Sequence, residues 1–60
     1  MKRFNVYVIT ENYEHCGETE TEERLIAMIK GIHENFCDAK NLVVTDKKVP
    51  GYEYPATTWL

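Results

Sequence analysis

Leu25, Ile29, Ile32 and Phe36 recur at spacings of four, three and four. On an α-helix that spacing gathers them into one apolar stripe, flanked by Ile26 and Met28. Whatever else this chain does, it must offer that stripe a surface to cover. Thr19 followed by Glu22 fits a capping box at the helix start, and Glu20, Glu22 and Glu23 fall where the helix dipole favours negative charge. Gly31 lies opposite the stripe, and the helix is expected to end near Asp38, with Lys40 and Asn41 beyond it.

The surface comes from the flanking segments. In "RFNVYVIT" Phe4, Val6 and Val8 alternate with Asn5, Tyr7 and Ile9, the period of a strand with apolar groups on both sides. "NLVVTDKKV" reads as a second strand, and Pro50 with Gly51 as a turn. Residues 50–60 read either as a third strand, at an edge because of Pro55, or as an extended, partly disordered tail. The expected fold is a single small α+β domain over residues 1–60: strand, helix, strand, with one amphipathic helix on a sheet of two or three strands. A strand-helix-strand unit favours a right-handed crossover with parallel strands. An alternative for "ENYEHCG" is a turn at Asn12 and a short returning strand, giving a hairpin before the helix.

A chain of 60 residues buries only about 60% of its unfolded surface, so it needs a staple, a metal or a second chain. Two cysteines and two histidines suggest zinc: His15 and Cys16 before the helix, His33 and Cys37 on it. With roughly seventeen helical residues between the pairs, the separation is about 25 Å, too far for one ion or one disulfide within a chain. A zinc site is then left only to a dimer in which two chains contribute ligands. Cys37 reads instead as a small core residue and His33 as a partly covered flank. The chain has no phosphate-binding loop, dinucleotide fingerprint or nucleophile elbow, and the glutamates around Cys16 oppose thiolate formation. The expectation is a protein without cofactor that is not an enzyme.

Charge is unevenly spread. Six glutamates and no Lys or Arg lie between Glu11 and Glu23, against seven bases and four acids elsewhere. That block should repel phosphate backbones, which argues against direct nucleic-acid binding. Lys2, Arg3, Lys47 and Lys48 would form a small basic patch if the chain start lies near the end of the second strand, but they read first as solvated strand ends. No apolar run approaches the ~20 residues of a membrane span, and the start lacks a signal peptide's features, pointing to the cytoplasm. The helix start accounts for Glu20, Glu22 and Glu23, but not for Glu11, Glu14 and Glu18, which are interleaved with Tyr13. A second aromatic group, Tyr52, Tyr54 and Trp59, lies near the end, where it either covers the open sheet face or docks in part on another protein. Aromatic side chains are enriched at the energetic centres of interfaces. Glu11, Tyr13, Glu14, Glu18, Tyr52, Tyr54 and Trp59 are therefore the candidate partner-binding residues, and the partner surface should be basic.

"VYVITENYE", an amphipathic helix and then "LVV" resemble the opening of many short phage and mobile-element accessory proteins. Some of that loose class bind and inhibit host defence or nucleic-acid-processing proteins. The resemblance implies a binding modulator working in the host cytoplasm, the other reading being a homo-oligomer whose sheet face pairs with itself.

Overall fold

The computed structural model describes residues 2–60. Strands β1 (Phe4–Ile9) and β2 (Tyr13–Thr19) precede helix α1 (Glu22–Asn35), and β3 (Leu42–Asp46) and β4 (Glu53–Pro55) follow it. Short 3-10 turns at Ala39–Asn41 and Ala56–Trp59 link and close the chain. The domain is α+β, as expected, with one helix on a sheet of four strands in the order β2-β1-β3-β4.

Every neighbouring pair in that sheet is antiparallel, which corrects the parallel crossover. The cause is one extra reversal. The chain turns between Thr10 and Asn12, where the Thr10 N–H donates to the Asn12 carbonyl at 3.1 Å, and β2 returns beside β1 before the helix begins. The helix therefore climbs back along the sheet instead of descending it, and β3 leaves from the opposite end to the one a simple strand-helix-strand unit would use. Of the two readings of "ENYEHCG", the returning strand is the one adopted.

Phe4 and Val6 of β1, Leu42 and Val44 of β3, Leu25 and Ile29 of α1, and Ala39 and Ala56 form the buried core. The alternation in β1 and β3 places these groups toward the helix. The helix starts later than the sequence suggested: Thr21, not Thr19, is the N-cap, its hydroxyl accepting from the Arg24 N–H at 3.2 Å. Thr19 is buried at the end of β2 and donates its hydroxyl to the Thr21 carbonyl at 3.3 Å. The helix ends at Asn35 rather than near Asp38, with the N–H groups of Phe36 and Cys37 both reaching the Ile32 carbonyl, at 2.9 and 3.1 Å. That early stop removes Phe36 from the stripe, and its side chain is 84% exposed. Asp38 caps the next turn, accepting from the Lys40 N–H at 3.1 Å.

β2 is held close to the helix. A Cβ on Gly17 would lie 3.0 Å from Met28 Cε, so a hydrogen at this position lets strand and helix approach. The register between β1 and β2 slips here: Val6 faces Gly17 but Tyr7 faces His15, leaving Cys16 as the extra residue of a bulge. Pro50 and Gly51 form the expected turn, with Gly51 at φ +83°, and residues 53–59 fold onto the domain as β4 and the last 3-10 turn.

Candidate functional site

β2 is a border strand. Among the described residues nothing pairs with its outer side, and from Tyr13 to Cys16 every residue is exposed. Glu11 stands in the turn before it, Glu14 lies opposite Val8, and Glu18 lies opposite Asn5. The bulge at Cys16 interrupts the two-residue alternation and sends Glu14 and Glu18 to different faces, so their charges line a strand border instead of forming one pocket. Among the described residues bases approach at the end near Glu18 and Glu20: Lys2 pairs with Glu20 at 3.8 Å, and Lys2 and Arg24 share with Glu18 and Met28 a small groove of about 240 Å³. The end carrying Glu11 and Glu14 is the more purely acidic.

The candidate tail aromatics lie at the other border and divide further. Tyr54 and Trp59 pack on the core edge to face, with ring centroids 5.8 Å apart and Trp59 6.4 Å from Phe4. The Trp59 indole N–H donates to Glu22 Oε1 at 3.0 Å. Tyr52 stays exposed, its ring 4.5 Å from that of Tyr54. The seven candidate residues thus form two groups on opposite borders of the sheet. One link joins them: the Tyr13 hydroxyl donates to Glu53 Oε1 at 3.3 Å, which requires its ring to reach across the face that the helix leaves open.

That open face carries Asn5, Tyr7, Ile9, His15, Val43 and Thr45. His15 Nε2 lies 3.0 Å from Asn5 Oδ1 and its ring 5.3 Å from that of Tyr7. His33 is committed elsewhere, its Nδ1 accepting from the Ala39 N–H at 2.9 Å. With its lone pair so used, Nδ1 has no proton for Asp38 at 3.9 Å, and we read the hydrogen bond as the dominant contact. Among the described residues no three His, Cys, Asp or Glu side chains converge as a metal centre needs.

Two arrangements escaped the sequence reading. Arg3 clamps Asp46 through two parallel hydrogen bonds and lies over the Phe4 ring at 4.5 Å. Hydrogen bonding from Arg3 outweighs burial and, with the Lys48 N–H, holds the Asp46 carboxyl below its usual range. The partner effect, again led by that hydrogen bond, raises Arg3. The Lys47 N–H reaches the Arg3 carbonyl at 3.0 Å, so the basic ends do meet, but Arg3 is already neutralised.

The second is a correction. Cys16 and Cys37 do not sit about 25 Å apart at opposite ends of a rod: both line one groove of about 390 Å³ with Val8, Ile32 and Phe36. A separation of about 25 Å requires Cys16 to lie just before the helix start. It sits in mid-strand instead, some three residues and about 10 Å back along β2 from Thr19, beside the returning helix.

No protein-family model, no curated protein and no solved structure matches the chain at a significant level. No helix of the described residues is long and apolar enough to cross a membrane.

Proposed function

We propose that the chain acts by binding, as a non-enzymatic modulator that engages a basic surface of a host protein in the cytoplasm, in the manner of the short phage-type inhibitors its opening resembles. One observation carries the reading: an unpaired border strand, β2, bears Glu14 and Glu18, is preceded by Glu11, and is exposed from Tyr13 to Cys16. Carboxylates on such a border speed encounter with a basic partner and fix its register. Backbone groups there are free to hydrogen-bond. Tyr13, 55% exposed, adds an amphipathic ring on the open face, turned toward Glu53.

The test is capture from a host lysate, followed by reconstitution with the captured protein. A stoichiometric partner whose affinity falls at least about tenfold with Glu11→Lys and Glu14→Lys together, and falls with added salt, supports the reading. A partner insensitive to both overturns it.

A homo-oligomeric role is favoured by a different observation, the open sheet face with Tyr7, Val43 and the 37%-exposed Ile9. Sedimentation at micromolar concentration separates the two. A stable dimer lost on Ile9→Lys and Val43→Lys supports self-association, and a monomer removes it.

A further inference from the structure

Cys16 and Cys37, two thiols from distant parts of the chain, line one groove on the helix side of β2. Both thiols are free. Cys16 enters from the bulge of β2 and Cys37 from just beyond the end of α1, and the other lining residues, Val8, Ile32 and Phe36, carry no charge to hold either thiol apart. The two differ in access. Cys16 is exposed, its Sγ held only by a long contact of 3.8 Å to the Glu14 carbonyl, whereas Cys37 is half-buried against the core. Cys16 is the residue of the bulge that has no partner on β1, and Cys37 follows the last helical turn, its N–H on the Ile32 carbonyl at 3.1 Å.

We propose that Cys16 and Cys37 form an exchange pair, a modification site that takes low-molecular-weight disulfides and closes into an intramolecular cystine. The exposed Cys16 thiolate attacks the S–S bond of a small disulfide RSSR, forming Cys16–S–SR and expelling RS⁻, which takes up a proton as RSH. The Cys37 thiolate then attacks Cys16 Sγ, breaking the mixed disulfide and releasing the second RSH. Two protein thiols are oxidised to one cystine and one RSSR is reduced to two RSH, as thiol-disulfide exchange requires. Access dictates the order, with Cys16 as entry point and Cys37 as resolving thiol.

The experiment is titration of the reduced full chain with glutathione disulfide, read by intact mass, thiol count and peptide mapping. The expected result is loss of both thiols and of two hydrogens, no retained glutathione, and a linkage between the Cys16 and Cys37 peptides within a monomer. Cys37→Ser should retain one glutathione on Cys16, and Cys16→Ser should react more slowly. Wild-type protein that keeps glutathione on Cys16, or whose cystine joins two chains in proportion to concentration, overturns the proposal. The wild-type mapping decides even if a cysteine variant folds poorly.

Discussion

Arg3 and Asp46 are joined side by side, Nε to Oδ1 at 3.0 Å and Nη2 to Oδ2 at 2.8 Å, locking the start of β1 to the end of β3. The fork also binds the turn that follows, because Asp46 Oδ1 accepts from the Lys48 N–H at 2.9 Å. One carboxylate thus fastens two strands and a turn.

Acid should loosen that fastening. The Asp46 carboxyl titrates lower in the folded chain than in the unfolded one, chiefly through the Arg3 hydrogen bond. Its stabilisation is therefore complete above the unfolded value of about 4 and is lost as pH falls through the folded value below it. Denaturant midpoints recorded from neutral to acid pH should fall less steeply for Asp46→Asn than for wild type. Equal slopes would show that Asp46 does not drive the acid limb.

The helix cap makes a second test. Thr21→Ala removes the hydroxyl that accepts from the Arg24 N–H and should cost about 1 kcal/mol in urea unfolding. A neutral result would mean that the helix begins elsewhere.

Gly17 tests how closely β2 and α1 are pressed together. Ala there meets only the flexible end of Met28 and should change stability by about 0.5 kcal/mol or less. The branched side chain of Gly17→Val has less room and should cost about 1–3 kcal/mol. Met28→Ala in the same chain should recover part of that loss, and additive effects in the double-mutant cycle would contradict the contact.

The apolar stripe should divide in two energetically. Ile29→Ala, in the core, should cost about 2–5 kcal/mol. Phe36→Ser, at an exposed site, should shift stability by only about 0.5 kcal/mol. Comparable losses at both positions would return Phe36 to the interior.

The elements themselves were legible because their cause is local. Alternation in β1 and β3, the spacing of Leu25 and Ile29 and the Pro50-Gly51 turn each write a short-range pattern. Parity of direction was not, since it hung on whether "ENYEHCG" reversed, and that segment is polar on both faces, as a border strand may be without penalty. The displaced cap has a similar origin: Thr19 and Thr21 present equivalent hydroxyls two residues apart, and the choice falls to burial of Thr19 at the strand end. The tail aromatics show the same limit. Composition marks Tyr54 and Trp59 as adhesive, but only tertiary packing decides that Trp59 adheres to Phe4 and Tyr54 to Trp59. The thiol groove was hidden for a geometric reason, because β2 runs beside α1 and sets Cys16 about 10 Å back along the helix from Thr19 instead of beyond the helix start.

The two borders of the sheet differ in what they leave to be joined. β4 offers three residues, and its last, Pro55, has no N–H to give, whereas β2 presents seven. Among the described residues β2 is therefore the longer border open to strand addition. Two molecules joined through β2 would each spend that border on the other, which would close the pair.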